Sequence, residues 1–203
     1  MTTTPRPPDP SRRSQAVRRA VLTAARELAE EVGYARLTIE AIAARAGAGK
    51  QTIYRWWPSK GAVLFDALLA LAEGEGGQPA GLPDTGDLEA DLKTVLRATA
   101  AELDDPRRSA PLRALAIEAL LDPALAADCA DRLDRPLREL KRARLRAARR
   151  AGQLDPGADL DLAIDLIWGP LRGRWLHGEG PLTAEFADAV VEHALNGLRP
   201  PAR

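Results

Sequence analysis

The sequence is poor in several of the residues that proteins use to build special sites. Its 203 residues include one cysteine, Cys129, and two histidines, so disulfides within the chain are excluded and a Cys/His zinc site is not expected. Aromatic residues make up only 4% of the chain. The core must therefore be built from Ala, Leu, Val and Ile, which favours packed helices over a β-sandwich.

Long apolar runs are also missing. No stretch approaches the roughly 18 consecutive apolar residues of a membrane-spanning helix. Residues 1–10 are polar and proline-rich, unlike the apolar core of a secretory signal. We therefore expect no membrane partner and a cytoplasmic location.

The net charge of zero hides an uneven distribution of charge along the chain. Residues 1–60 hold 11 Lys and Arg against 5 Asp and Glu, a net charge of +6, so residues 61–203 carry −6. A basic N-terminal region joined to an acidic remainder favours contact between that region and a polyanion such as DNA. A chance asymmetry would give the same numbers, so charge alone does not decide.

Apolar residues recur at helical spacing along most of the chain, and no segment alternates with the period of two that is typical of a strand. The pattern predicts an all-α fold of about nine helices. We expect a disordered arm over residues 1–12, because proline is frequent there and apolar mass is scarce. An N-terminal domain of three helices is then expected over residues 13–59, and a larger helical body over residues 60–203.

Two prolines lead to more specific expectations about the body. Pro111 is predicted to lie in the first turn of a helix that ends at Leu121, where its missing N–H costs nothing. The long helical stretch over residues 123–151 is expected to be interrupted at Pro136.

Two short helices are predicted inside the basic region. Thr38 is a good N-cap for a helix that Gly47 ends, and a further helix of about two turns starts near Lys50 and must finish before Pro58. Short helices joined by a glycine-containing turn are typical of the helix-turn-helix, whose second helix lies in the major groove of DNA. The alternative is a helical hairpin with a polar surface.

The second of these helices, KQTIYRWW, has an apolar and a polar face. At about 100° per residue, Ile53 and Trp57 point inward together, which turns Gln51 and Arg55 outward. Arginine can bond guanine O6 and N7, glutamine can pair with adenine, and a threonine methyl can contact thymine. Phosphate contacts are expected from polar side chains on and around the two helices: Thr38, Lys50, Tyr54 and Lys60.

The run from Gly33 to Leu68 resembles the DNA-binding domain of TetR-type bacterial transcriptional regulators. The matching residues are the pair Gly33-Tyr34, the frame T-x-x-x-I-A-x-x-A-G that starts at Thr38, and the frame T-[IL]-Y-x-x-[FW]-x-[SN]-K that starts at Thr52. A C-terminal stretch, LIWGPLRGRWLHGEGPLTAEFADAVVEHALNGL, is similar to one subgroup of the C-terminal domains of these regulators.

This resemblance implies a homodimer in which three N-terminal helices bind DNA and the fourth connects them to a helical ligand-binding body. The last two helices would form most of the dimer interface. It also implies a repressor that an unknown small-molecule effector releases from a near-palindromic DNA operator. Transferred by position, the DNA-contact candidates are Thr38, Lys50, Gln51, Thr52, Tyr54, Arg55, Trp56 and Lys60.

The sequence departs from the family pattern at three positions. Ala48 stands where a larger aliphatic residue is usual, and Gly49 supplies no capping oxygen where Ser is common, which predicts a looser turn. Trp56 stands where His is frequent. Its indole N–H can still donate to a phosphate, and a packing role is the alternative.

A pocket in an aliphatic body needs an apolar lining and a few oriented polar groups. Trp168 and Trp175 are seven residues apart and share a face of one helix, so they are expected either in a pocket or at the dimer interface. For every candidate, ordinary packing is the alternative. The ligand-binding candidates are Phe65, Leu115, Glu118, Trp168, Arg172 and Trp175.

Other features are compatible with an ordinary structural role. The basic run over residues 138–150 is expected to be a solvated helix face, with a second nucleic-acid contact as the alternative. The acidic residues over 155–165 do not have the spacing of a calcium loop. Cys129 has no flanking motif of a nucleophile, and the chain has no phosphate loop or serine elbow. We expect no catalytic residue, no cofactor and no metal; the remaining alternatives are a ligand-independent activator or DNA-binding protein, and a helical enzyme.

Overall fold

The computed structural model describes residues 10–74 and 81–198, and this part of the chain consists of helices and the loops between them, without a strand. Because a π turn over Ala130–Asp134 joins α7 to α8 without a break, the described helices form nine continuous segments. The predicted all-α fold of about nine helices is therefore confirmed. The helices are α1 (Pro10–Val32), α2 (Ile39–Ala46), α3 (Lys50–Trp56), α4 (Lys60–Gly74), α5 (Leu88–Asp104), α6 (Pro106–Leu121), α7 (Pro123–Cys129), α8 (Arg135–Arg150), α9 (Leu160–His177) and α10 (Ala184–Leu198).

The first helix begins earlier than expected. Residues 1–9 of the predicted arm lie outside the described residues, but residues 10–12 belong to α1, so the prediction of an arm is wrong for them. Pro10 is the first residue of α1, a position at which proline loses no helical hydrogen bond.

Both proline-based expectations about the body need correction. α6 begins at Pro106 and contains Pro111 in its interior, because Asp105 caps the helix five residues earlier than expected: its Oδ1 accepts a hydrogen bond from the N–H of Arg107 at 3.0 Å. The long stretch is not interrupted at Pro136: α7 continues through the π turn over Ala130–Asp134 into α8, and Pro136 lies in the first turn of α8, where proline is tolerated.

The chain divides into two compact units. Of the described residues, the first unit combines 10–74 with 110–125, and the second combines 81–109 with 126–198. α4 therefore lies in the same compact unit as α1–α3. The predicted domain boundaries at 12/13 and 59/60 follow function rather than compactness and stay a prediction.

In the first unit α1 packs against α2 and α4, and α2 packs against α3. Its main cluster of buried side chains is aliphatic apart from Trp57: α1 contributes Val21 and Leu28, and α2 contributes Ile42. The small residues of α1 allow the neighbouring helices to approach closely, and each fully buried Leu or Ile stabilises the unit by about 1.5–3 kcal/mol.

In the second unit α5 packs against α9 and α10, and α9 packs against α8 and α10. Its interior contains one buried ion pair, in which Arg144 Nη2 lies 2.8 Å from Asp91 Oδ2, with side chains that are 3% and 5% exposed. Burial alone would raise the pKa of the Asp91 carboxyl, but hydrogen bonds from Arg144 and from the N–H and hydroxyl of Thr85 hold that pKa below its ordinary value. The pair ties α8 to α5.

Within the two described ranges of the chain, no helix has the length and apolar character needed to cross a membrane.

Candidate DNA interface

The turn between α2 and α3 is shaped by its backbone hydrogen bonds. Thr38 Oγ1 caps α2 by accepting from the N–H of Ala41 at 3.1 Å, as predicted. At the other end Gly47 has a φ of 62°, and the N–H of Ala48 donates to the carbonyl of Ala43 at 3.0 Å. This left-handed glycine with a bond back into the helix is the usual way to end a helix sharply, so α3 departs from α2 in a defined direction.

α3 is a short helix of seven residues with one buried residue, Ile53. Ile53 is fully buried and Trp57, directly after the helix, is 3% exposed, whereas Gln51 and Arg55 are exposed. Tyr54 is 51% exposed. The predicted inward and outward faces of this helix are therefore confirmed; Thr52 and Trp56 lie half-buried at its flanks.

The exposed face of α3 presents a charged side chain that no acid neutralises. Within the described part of the chain, no carboxylate lies within ion-pair distance of Arg55, whose guanidinium lies 5.5 Å from the ring centroid of Trp56. Stacking on an indole restricts a guanidinium without using its hydrogen-bond donors. The hydrogen-bond donors of Arg55 are therefore not taken by a carboxylate of the described residues.

Lys50 begins α3 and pairs with an acid on α2. Its Nζ lies 2.9 Å from Glu40 Oε1, and the hydrogen bond between them raises the pKa of Lys50 and lowers the pKa of Glu40. Both side chains are more than half exposed, so this pair contributes little to stability and a phosphate can compete for the ammonium.

The ammonium group of Lys60 makes contacts within the first unit. Its Nζ donates to the carbonyls of Tyr34 at 3.0 Å and Leu37 at 3.1 Å, and it lies 4.4 Å from the centroid of the Tyr34 ring. Two of its three donors thus hold the link between α1 and α2 against the start of α4. One donor remains for the phosphate contact that the sequence predicts.

Sequence analysis missed a buried acid behind α3. Asp66 of α4 is 7% exposed, and its Oδ2 accepts hydrogen bonds from Trp57 Nε1 at 2.8 Å and Arg18 Nη2 at 2.7 Å. The signal that points to it is a lone acid within the apolar run Val63–Ala67. A buried carboxylate needs such partners, since burial without them is costly.

The ligand-binding candidates are divided between the two units. Phe65 and Leu115 are buried in the first unit and Glu118 is half-buried there. In the second unit Trp175 is buried, Trp168 is half-buried and Arg172 is exposed. Their role in binding a ligand stays a prediction.

Glu118 lies at a close approach between helices of the first unit. A Cβ on Gly61, in the first turn of α4, would lie 2.9 Å from Leu125 Cδ2, 3.2 Å from Tyr34 Oη and 3.5 Å from Glu118 Cγ. Burial and the nearby charge of Glu118 raise the pKa of Tyr34 above its ordinary range. Glu118 and Leu125 thus lie against the first turn of α4, a few residues after the end of α3.

Trp168 faces α8. The Nζ of Lys141, on α8, lies 4.7 Å from the centroid of the Trp168 ring. A different side of α9 forms, with α10, a shallow apolar groove of about 410 Å³, to which α9 contributes Leu166 and Pro170, and α10 contributes Phe186 and Val190. Trp168 is thus absent from the lining of this groove.

The basic run over residues 138–150 is largely paired with acids. Arg138 lies 3.0 Å from Asp161 and 2.9 Å from Asp165, both on α9, and Arg144 is the buried partner of Asp91. The expectation of a solvated helix face is therefore wrong for Arg144, which is buried, and a second nucleic-acid contact by this run stays untested. Among the described residues no group of three His, Cys, Asp or Glu could hold a metal ion.

Cys129 shows no sign of activation as a nucleophile. It is half-buried, and burial together with the charges of Asp134 and Asp128 raises the pKa of its thiol to about 11. A thiol that stays protonated at neutral pH is a poor nucleophile.

The family follows from comparison with known proteins. Residues 21–67 match the bacterial regulatory proteins of the tetR family, and residues 82–194 match a Tetracyclin repressor-like C-terminal domain. The chain therefore belongs to the TetR family of transcriptional regulators, and the predicted class, a DNA-binding transcriptional regulator, is confirmed.

Individual relatives extend over nearly the whole chain. An uncharacterized HTH-type transcriptional regulator of Bacillus subtilis strain 168, YdeS, is 30% identical over 92% of this chain and 92% of its own length. The DNA-binding transcriptional repressor TetR of Mycobacteroides abscessus is 31% identical over 91% of this chain and 95% of its own. The crystal structure of the TetR family regulator SCO0332 is 36% identical, with a TM-score of 0.71, and covers 91% of this chain and 99% of that one.

Proposed function

We propose that this regulator binds a near-palindromic operator as a homodimer, with α3 of each copy in the major groove, and that it represses transcription until a small molecule releases it. The observation that supports this most directly is the exposed pair Gln51 and Arg55 on the face of α3 opposite Ile53 and Trp57. Exposed amide and guanidinium groups on a short helix are suited to reading base edges.

The contact residues divide into two roles. Arg55, Gln51 and Thr52 read bases, because they lie on or beside the outward face of α3. The others contact phosphate oxygens and fix the position of α3 without reading sequence: Thr38, Lys50, Tyr54, Trp56 and Lys60.

The apolar groove on α9 and α10 is the surface proposed for dimerisation. Leu162 and Leu166 lie one turn apart on α9 and are 55% and 45% exposed. Exposed apolar surface of this kind is typical of an interface, and a two-fold axis places the same groove of a second copy against it. The family resemblance assigns the dimer interface to these same two helices.

An effector would act through the body. Leu125 and Glu118 contact the first turn of α4 around Gly61, so a ligand that moved α6 or α7 would displace the helix that follows the DNA-binding segment. Repression is proposed because the relative from Mycobacteroides abscessus is described as a repressor. We further propose that the chain acts in the cytoplasm by binding alone, without catalysis.

Binding to DNA from the protein's own upstream region, measured across a salt titration, tests the proposal. We expect protection of two half-sites about one helical turn, roughly 34–36 Å, apart. Arg55→Ala should relax sequence preference at one base position, with a loss of about 1–3 kcal/mol on the operator and a smaller loss on random DNA.

Arg45→Ala is the matched control for Arg55→Ala. Arg45 is exposed on α2 and pairs with Glu31 at 2.6 Å, outside the proposed contact set. Because Arg45 makes none of the proposed DNA contacts, Arg45→Ala should leave the preference for the operator over random DNA unchanged. Equal losses on every sequence for both variants would contradict the division of roles, and no preference of the wild type over random DNA would contradict specific operator binding.

A further inference from the structure

We infer that Asp66 is a positioning residue for DNA recognition: it holds Trp57 at the end of α3 and thereby sets the direction in which Arg55 is displayed. Asp66 itself is buried and does not touch DNA in this proposal. The inference rests on the proposed role of Arg55 as a base-reading side chain.

Asp66 joins three segments of the first unit through one oxygen atom. Its Oδ2 accepts from Trp57 Nε1 at 2.8 Å and from Arg18 Nη2 at 2.7 Å. The Arg18 guanidinium also lies 5.7 Å from the centroid of the Trp57 ring. α1, the end of α3 and α4 therefore meet at this carboxylate, and a displacement of any of them changes its hydrogen bonds.

α3 depends on such an anchor because it has little else to hold its orientation. It is seven residues long, it buries only Ile53, and its N-cap Gly49 has no side chain to cap it. A helix of this length is not stable by itself, so its direction is set by tertiary contacts at its ends. Trp57 provides the contact at the C-terminal end: its backbone N–H closes the last turn by donating to the carbonyl of Ile53 at 2.9 Å, and its indole Nε1 donates to Asp66 Oδ2 on α4 at 2.8 Å.

A series of ring contacts connects Asp66 to the surface. Trp57 packs edge-on against Trp56, with centroids 5.4 Å apart and ring planes at 87°. Trp56 in turn lies 5.5 Å from the guanidinium of Arg55. Hydrogen bonding fixes the plane of the Trp57 indole, the indole fixes Trp56, and Trp56 restricts Arg55.

The buried indole of Trp57 requires a hydrogen-bond acceptor. A phenylalanine at position 57 would fill much of the same space without a donor, whereas a buried indole N–H without an acceptor carries a desolvation cost. Asp66 supplies that acceptor. The same carboxylate also pairs with Arg18 at 2.7 Å, and this ion pair offsets part of the cost of its burial.

The test compares Asp66→Asn, Trp57→Phe and the double variant in the full-length protein. The quantity measured is the selectivity ratio, the Kd for random DNA divided by the Kd for the upstream operator, at one salt concentration. We expect each single variant to lower this ratio about tenfold and the double variant to lower it little further, because both substitutions break one interaction.

Asp91→Asn is the matched control. Asp91 is a buried carboxylate paired with an arginine in the second unit. Its substitution should lower the midpoint of unfolding and leave the selectivity ratio of the folded fraction unchanged. A purely structural role of Asp66 would make Asp66→Asn behave in the same way, and that result would overturn the inference.

A spectroscopic measurement without DNA gives a second readout. The indole N–H resonance that disappears in Trp57→Phe belongs to Trp57, and Asp66→Asn should shift it and speed its exchange with solvent. If Asp66→Asn does not fold, Trp57→Phe alone must still lower the selectivity ratio. An unchanged ratio in that variant overturns the inference.

The outcomes separate this inference from the proposed function. If Arg55→Ala lowers the selectivity ratio while Asp66→Asn and Trp57→Phe leave it unchanged, the inference about Asp66 is overturned. The proposal that α3 reads DNA bases then still stands. A wild-type ratio near one overturns both.

Discussion

Two helix pairs in this protein expose opposite chemistry. The α2–α3 pair in the first unit buries its apolar residues and presents Gln51 and Arg55, whereas the α9–α10 pair in the second unit leaves Leu166 and Val190 at an open apolar groove. Polar groups on an exposed face suit a partner with hydrogen-bonding base edges, and apolar groups suit a second protein surface. Both regions are pairs of helices, so the kind of side chain that each exposes is what indicates DNA as the proposed partner of one pair and a second copy of the chain as the proposed partner of the other.

The two pairs also differ in how they are held. α9 and α10 have 18 and 15 residues and bury a row of apolar side chains along most of their length. α2 and α3 have eight and seven residues, and α3 buries one. Long helices are oriented by many small contacts, so the short helix α3 is the element for which single polar anchors matter most.

The largest expected effect on stability is at the buried ion pair of the second unit. Arg144→Ala leaves the Asp91 carboxylate buried without its cation and should lower the free energy of unfolding by about 3–5 kcal/mol. Urea unfolding followed by circular dichroism measures this. Arg146→Ala, an exposed arginine on the same helix, should leave the unfolding midpoint in place. If both variants unfold alike, the pair does not hold the unit together.

The next largest effect is expected when a charged side chain is placed in the apolar groove. Leu166→Glu buries a carboxylate in the proposed dimer interface and should produce monomers in sedimentation equilibrium. In a dimer, binding of one subunit to its half-site holds the other subunit close to the second half-site. Monomers lose this advantage, so operator affinity should fall by about 10²-fold or more.

Leu121→Glu is the control for the groove. Leu121 is also an exposed leucine, at 78%, but it lies at the end of α6 in the first unit. This variant should remain dimeric. A Leu166→Glu protein that stays dimeric with full operator affinity would place the dimer interface elsewhere.

The smallest expected effect is a difference in stability between alanine variants of two lysines, Lys60 and Lys50. Lys60→Ala removes two hydrogen bonds to backbone carbonyls and should lower the free energy of unfolding by about 1–3 kcal/mol, while weakening binding to all DNA sequences alike. Lys50→Ala breaks only an exposed pair and should weaken binding to all sequences without a change in the unfolding midpoint. Thermal unfolding and binding at two salt concentrations distinguish the two. Equal midpoints for both variants would show that Lys60 has no structural role.

Features that depend on neighbours in sequence could be predicted well. The Thr38 cap, the left-handed Gly47 and the inward turn of Ile53 and Trp57 each follow from interactions within a few residues, and the structure has them as expected. The start of α6 was predicted wrongly although its signal is local, because Asp105 and Pro106 form a cap that competes with the later Pro111. The π turn was missed because a π turn has no clear residue preference of its own.

The sequence by itself determined that the protein is helical, that a basic segment contains a helix-turn-helix, and which side of α3 faces solvent, since helical periodicity and capping act over a few residues. Only the tertiary structure decided that Lys60 is bonded to the carbonyls of Tyr34 and Leu37, and that Asp66 meets Trp57 and Arg18. Asp66 and Arg18 are 48 residues apart in the chain. Contacts of that kind depend on how whole helices pack, and no local pattern encodes which side chain will lie opposite a buried carboxylate.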